Sequence, residues 1–159
     1  MRAPLFLRAV VAFLALPGAV AFLVPWLLRP PGAHLGLAGF LVIALGLALL
    51  LWCVRDFYVA GHGTLAPWTP PTQLVTIGLY RMSRNPMYLA VAIILIGFAL
   101  GYHSARLWIY AALVVVLFQL RVVLYEEPRL ARSFGEAWFA YRTRVPRWIG
   151  RSAVDDPQR

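Results

Sequence analysis

Four long apolar stretches constrain this sequence more than any other feature, because water cannot solvate all of them. We interpret them as membrane helices at residues 5–28, 35–54, 86–101 and 107–125. One helix crosses the hydrocarbon core of a bilayer with about 20 residues. A chain of 159 residues therefore has room for four or five crossings and for no second folded domain.

Composition supports the same fold class. Hydrophobic residues make up 62% of the chain and charged residues only 13%, too few to cover a soluble domain of this size. The sequence predicts an all-α integral membrane bundle of about four transmembrane helices, forming one domain over residues 1–159. Only Tyr102 to Arg106 separate the last two stretches, so these form a short C-terminal hairpin.

The first stretch leaves two readings open. Arg8 precedes an apolar run, and Ala19-Val20-Ala21 looks like a signal-peptide cleavage site. The run continues to Leu28, which favours a retained anchor. Either reading leaves the later topology unchanged.

Arginine placement explains the net charge of +9. Four crossings with an internal N-terminus put only Arg29 and Arg106 outside, so thirteen of the fifteen arginines lie on or near the inner face. This is the positive-inside pattern. We therefore expect a multi-pass protein of the cell (inner) membrane with both termini cytoplasmic, and no nucleic-acid partner.

The same topology places two polar segments, 55–85 and 126–159, together on the cytoplasmic face. Apolar residues recur every three or four positions over 130–145, which predicts one amphipathic helix lying back on the membrane or the hairpin. His34, His62 and His103 are split between the two faces, and Cys53 is the single cysteine, so we expect no metal site.

Two polar features carry candidate chemistry. Asn85 and Pro86 suit the N-cap and first position of a helix, and nearby Arg84 makes this helix start either a capped end or an anion site. Glu126-Glu127 closes the fourth apolar stretch, where acids are costly unless they are paired or hydrated. The pair forms ion bridges with nearby arginines, or it binds an ammonium or ribose hydroxyl of a ligand.

A long ordered set of motifs covers residues 61–148. It reads Gly61-x-Gly63-Thr64, Pro70-Pro71-x-x-Leu74-Val75-x-x-Gly78-x-Tyr80-Arg81-x-x-Arg84-Asn85-Pro86-Met87-Tyr88, Glu126-Glu127-x-x-Leu130-x-x-x-Phe134-Gly135 and Tyr141-x-x-x-Val145-Pro146-Arg147. The set resembles the isoprenylcysteine carboxyl methyltransferase and phospholipid methyltransferase family. The resemblance implies an integral membrane enzyme that binds S-adenosyl-L-methionine at the cytosolic face.

The resemblance also implies a cofactor pocket. Its residues here are Gln73, Leu74, Val75, Tyr80, Asn85, Pro86, Met87, Tyr88, Glu126 and Glu127. Asn85 stands where eukaryotic members have His, and an amide does not titrate. Val122 stands where those members have a substrate-carboxylate arginine, so we assign substrate orientation to the adjacent Arg121, although one residue turns a helix face by about 100°.

The expected activity is methyl transfer to a lipophilic acceptor, most often at oxygen, with an isoprenylcysteine-like carboxylate among the candidates. The lipid bilayer and a lipid or lipophilic small molecule are the expected partners. Alternatives are a phospholipid or small lipophilic thiol or amine as acceptor, an NADPH-dependent membrane reductase of the sterol-reductase type, and a non-enzymatic membrane protein.

Overall fold

The structure is a computed structural model that describes residues 14–61 and 73–149. The fold is all-α, with five helices in this part of the chain. They are α1 (π-helical Leu14–Leu23, then α-helical Val24–Leu28), α2 (Leu37–Gly61), α3 (Pro86–Gly101), α4 (Ala105–Phe134) and α5 (Glu136–Arg144). A short 3₁₀ turn, Gly78–Arg81, precedes α3. The predicted parts at 5–13, 62–72 and 150–159 lie outside the described residues.

Within residues 14–61 and 73–149, two helices are long and apolar enough to cross a bilayer. They are the Leu37–Asp56 part of α2 and the whole of α4, and only 28% and 22% of their most apolar windows are buried inside the protein. Core helices of soluble proteins are mostly buried, so these exposed apolar faces fit lipid contact instead. The shorter apolar helices are Gly18–Leu28 and α3. Their crossing of the membrane stays a prediction.

Glycines bring α2 and α3 into close contact. A Cβ atom on Gly39 would lie 2.3 Å from the Cα atom of Gly101, and one on Gly97 would lie 2.8 Å from the backbone nitrogen of Ile43. The backbone N–H of Gly36 donates to the carbonyl of Gly101 at 2.9 Å. Small residues thus allow the two backbones to touch, as in other membrane helix pairs.

The predicted hairpin is confirmed. Helices α3 and α4 pack against each other and are joined by a turn of three residues in which His103 has a φ of 48°. Helix α3 has the predicted bounds, and at about 1.5 Å per residue it is about 24 Å long. Ile94 and Leu95 of α3 are fully buried in the core with Leu50 of α2.

Two predicted helix ends are wrong. Helix α2 continues to Gly61, seven residues past the predicted end, so the polar segment beginning at Arg55 starts as helix. Helix α4 begins at Ala105 and continues through the acid pair to Phe134. Glu126 and Glu127 therefore lie inside a helix and do not follow one. A π-helical turn, Val122–Glu126, precedes Pro128 and lets the helix accommodate a residue that lacks an N–H.

The single amphipathic helix predicted over 130–145 is also wrong. Gly135 has a φ of +50° and separates the end of α4 from α5. Trp138, Tyr141 and Val145 are buried in a cluster that includes Leu74 and Leu130. The apolar face of this region therefore packs on the loop before α3 and on α4, and it is not left for the membrane surface.

Candidate functional site

The two polar segments meet where α3 begins and α4 leaves the bundle. The Tyr141 hydroxyl donates to the Tyr80 carbonyl at 2.7 Å. The Arg84 backbone N–H donates to the Pro146 carbonyl at 2.9 Å, and the Ser83 hydroxyl donates to the Arg147 carbonyl at 3.2 Å. These bonds join residues more than sixty positions apart and assemble a polar surface at this end of the bundle.

Three predicted site residues form one hydrogen-bonded group, called here the Glu126 cluster. The Tyr88 hydroxyl donates to Glu126 Oε1, to which Arg121 Nε also donates at 2.9 Å. Arg121 Nε is 3.0 Å from the Tyr88 oxygen as well. The Arg121 side chain is 52% exposed and that of Glu126 is 27% exposed. A ligand at this edge of α4 can therefore reach both charged groups.

The π-helical turn brings Arg121 and Glu126 together. In a regular α-helix, five residues rotate the chain by about 500°, which leaves the two side chains about 140° apart. Here the Glu127 N–H donates to the Val122 carbonyl, an i to i+5 bond that aligns residues five apart. Val122, at the position of the family's substrate arginine, is fully buried. Sequence spacing alone does not reveal this turn.

Aromatic rings surround Tyr88. Its ring centroid is 4.4 Å from that of Phe118 and 6.5 Å from that of Trp148, which meets it edge-on. The Trp148 indole N–H donates to Gln119 Oε1 at 2.8 Å, so the segment after α5 is held against α4. Aromatic faces in such a group can contact a cation.

Glu127 has different partners from its neighbour. Arg84 Nη1 donates to its Oε1 at 3.0 Å, and Arg147 makes a two-pronged contact with Nε and Nη2 at 2.8 Å each. The side chains of Glu127 and Arg84 are only 12% and 8% exposed. Burial lowers the pKa of Arg84, and the negative charge of Glu127 opposes that change. This buried ion group ties the C-terminal segment to the start of α3.

Asn85 occupies the N-cap position of α3 as predicted, but its side chain makes no capping hydrogen bond. Its Nδ2 donates to the Arg147 carbonyl at 3.0 Å, while its own backbone N–H donates to the Ser83 hydroxyl at 3.1 Å. The side-chain amide of Asn85 therefore bonds the Arg147 carbonyl of the C-terminal segment and not the backbone of α3. Pro86 begins the helix as predicted and is buried.

Four other predicted cofactor residues belong to two apolar clusters. Val75 and Tyr80 are buried together with Cys53, and Met87 is half-buried against them. Leu74 packs on α5, and Gln73 is exposed. Their role in cofactor binding stays a prediction.

Asp56 is a polar residue that sequence reasoning missed. It is 1% exposed, and its Oδ1 accepts a bond from Arg55 Nη1 at 3.1 Å. Within 14–61 and 73–149, no group donates to its Oδ2. The signal in the sequence that could have identified it was an acidic residue at the end of an apolar run.

The protein has apolar helices and a group of charged side chains at one end of them. These features define its class as a membrane-helix protein with a polar site. The family model for phospholipid methyltransferases matches residues 35–137, from before α2 to the start of α5. The match covers more than half of the chain, and the chain belongs to this family. Family membership confirms the resemblance found in the motifs.

A curated relative is the nickel-cobalt-cadmium resistance protein NccN of Alcaligenes xylosoxydans xylosoxydans. It is 29% identical over 116 residues, which is 73% of this chain. The chain spans half the length of that protein. No solved structure matches the chain.

Proposed function

We propose that this protein is an S-adenosyl-L-methionine-dependent methyltransferase that acts on a lipophilic acceptor at the cytoplasmic membrane face. One observation carries the proposal. Tyr88 on α3 lies 33 positions from Arg121 and 38 from Glu126 on α4, and the three converge in one group at the motif that suggests the family. An ion pair that only stabilises the fold does not need three residues to converge, and it does not need exposed side chains.

The charges of the site fit the cofactor. S-adenosyl-L-methionine carries an ammonium, a carboxylate and a sulfonium. The carboxylate of Glu126 suits the ammonium or the ribose hydroxyls, and the rings of Tyr88 and Trp148 suit the sulfonium, each by about 0.5 to 2 kcal/mol. Gln73, Leu74, Val75 and Tyr80 provide the remaining wall of the proposed pocket.

Bound cofactor supplies an activated methyl group, which leaves the protein mainly the work of alignment. In-line transfer to an anionic acceptor requires no proton removal, so a dry pocket that orients the acceptor gives most of the acceleration. Asn85 does not titrate and is bonded to Arg147, so it holds the helix start in position. Arg121 has two terminal amino groups outside the Glu126 cluster, and these orient an anionic acceptor.

The surroundings of Arg121 favour a lipophilic acceptor. Leu124 and Tyr125 lie beside it on α4 and are 72% and 53% exposed, on a helix that is apolar enough to cross a bilayer. An acceptor diffusing in the membrane meets Arg121 along this surface. An anionic acceptor oxygen is our preferred target, with phospholipid amines and lipophilic thiols as the alternatives.

We also propose four crossings, with the Glu126 cluster inside. Helix α3 is about 24 Å long and α1 is interrupted by prolines, so both need local adjustment of the bilayer. The arginine asymmetry gives the orientation.

Calorimetry of the detergent-purified protein separates this proposal from its alternatives. We expect saturable binding of S-adenosylhomocysteine, and no heat with NADPH. Binding of NADPH alone would favour a sterol-reductase-type enzyme, and binding of neither would favour a non-enzymatic protein. Glu136→Gln, a change on the exposed surface of α5, is the control that should bind as the parent protein does.

A further inference from the structure

Asp56 is a buried acidic residue that takes no part in the Glu126 cluster. It lies near the end of α2 that faces the loop before α3, with a side chain 2% exposed. Its ion-pair partner among the described residues, Arg55, is 71% exposed. Water screens such an exposed partner, so the pair compensates the buried charge poorly.

The backbone of the proposed cofactor loop makes room for this carboxylate. Gly78 has a φ of +55°, and a Cβ atom there would lie 1.9 Å from Asp56 Oδ2. Any side chain at position 78 would therefore collide with the acid. Gly78 opens the 3₁₀ turn that carries Tyr80, a predicted cofactor residue.

Electrostatics links Asp56 to the same region as Glu126. The pKa of Tyr80 is raised, first by burial and in smaller part by neighbouring acidic groups that include Asp56 and Glu126. The Tyr80 phenol thus lies within range of both carboxylates. In the part of the chain that the structure describes, Asp56 Oδ2 still lacks a hydrogen-bond donor.

We infer that Asp56 is a second cofactor-binding carboxylate, which binds the α-ammonium of the S-adenosyl-L-methionine amino-acid group beside Gly78. The inference rests on the proposed function. A buried carboxylate with a free oxygen requires a cation more than a neutral hydroxyl, because only a cation offsets its charge. Oδ2 lies against Gly78, so an ammonium bound there would lie beside the turn that carries Tyr80.

With Asp56 on the ammonium, Glu126 is left for the ribose hydroxyls. The two acids then bind different parts of one ligand. This division predicts that removing the amino group from the ligand cancels the effect of substituting Asp56 on binding and not the effect of substituting Glu126.

The test measures binding of S-adenosylhomocysteine and of its analogue without the amino group to the full-length protein in detergent. We expect Asp56→Asn to weaken S-adenosylhomocysteine about tenfold or more and to leave the affinity of the deaminated analogue within about twofold. Arg55→Gln keeps the buried carboxylate and is the matched control, with both affinities retained.

Equal weakening of both ligands, or of neither, would overturn the assignment. Thermal unfolding without ligand supplies a second measurement, because loss of an uncompensated buried charge should not lower Tm. Asp56→Ser repeats the test if Asp56→Asn does not fold, and failure of both to fold would make Asp56 structural and overturn the proposal. If the parent protein itself binds no S-adenosylhomocysteine, it is the proposed function that fails.

Discussion

Glu126 and Glu127 are neighbours in sequence, yet their side chains have different partners. Glu126 meets Tyr88 and the exposed Arg121, while Glu127 is buried between Arg84 and Arg147. The sequence suggested one acid pair with one purpose. Glu127 ties the C-terminal segment to the start of α3, whereas Glu126 is the acid that we propose faces a ligand.

Substitution of Glu126 tests the ligand-facing role. We expect Glu126→Gln to weaken S-adenosylhomocysteine binding by about 1.5 to 3 kcal/mol, as for a lost hydrogen bond to a charged group. Titration calorimetry measures the change. Unchanged affinity in a folded variant would return Glu126 to a purely structural ion pair with Arg121.

Substitution of Glu127 tests the fixing role. Glu127→Gln leaves Arg84 buried without a charge partner, so we expect a loss of about 3 kcal/mol in the free energy of unfolding. Denaturant unfolding in mild detergent measures it, with the exposed Glu136→Gln as control. Stability equal to that of the control would contradict the role of this ion group.

At the scale of helices, the sequence predicted some features and missed others for physical reasons. Pro86 marks the start of α3 because it fits the first helical turn, and that bound was correct. The pattern over 130–145 was interpreted as a separate helix. The π-helical turn before Pro128 keeps α4 continuous instead. Such a turn depends on tertiary packing, so the alignment of Arg121 with Glu126 could not be predicted.

The candidate site could be predicted only in part, because some of its contacts also depend on tertiary packing. The motifs identified Tyr88 and Glu126, and Arg121 was assigned because it is adjacent to Val122; the structure brings the three together. Asp56 belongs to no motif, and its burial beside Gly78 depends on how α2 packs against a distant loop. Contacts of that kind leave no local pattern in a sequence.

The contact between α2 and α3 gives a prediction for these elements. A side chain at Gly39 would overlap the backbone of Gly101, so we expect Gly39→Leu to cost about 3 kcal/mol or more in the free energy of unfolding. Ala48→Leu on the exposed face of α2 is the matched control. Equal Tm values for the two variants would refute close packing of these helices.

At the scale of the whole molecule, the orientation in the membrane determines where the site faces. Ala105 begins α4 and Ser133 lies near its other end, and both are exposed. We expect Ala105→Cys to react with an impermeant thiol reagent in intact cells, and Ser133→Cys to react only after permeabilisation. Cys53 is fully buried, so the parent protein is the unlabelled control. The opposite labelling pattern would place the site on the outer face.

The last prediction concerns how the acceptor arrives. Arg121 is half-exposed on an apolar helix beside Leu124 and Tyr125, so an acceptor dissolved in the bilayer can reach its guanidinium laterally. We expect a radiolabelled methyl group from S-adenosyl-L-methionine to enter the organic phase when the protein is incubated with membrane extract. Label found only in the aqueous phase would contradict lateral entry.

Substitution of Arg121 gives a more specific version of that experiment. Arg121 Nε bonds Glu126 while its terminal amino groups remain for the acceptor, so Arg121→Gln should reduce methyl transfer at least tenfold while S-adenosylhomocysteine affinity falls less. Arg106→Gln, at the far end of α4, should retain both properties. Equal losses of transfer and of cofactor binding would assign Arg121 to the cofactor site. Loss of transfer alone would make it the group that orients a lipophilic anion.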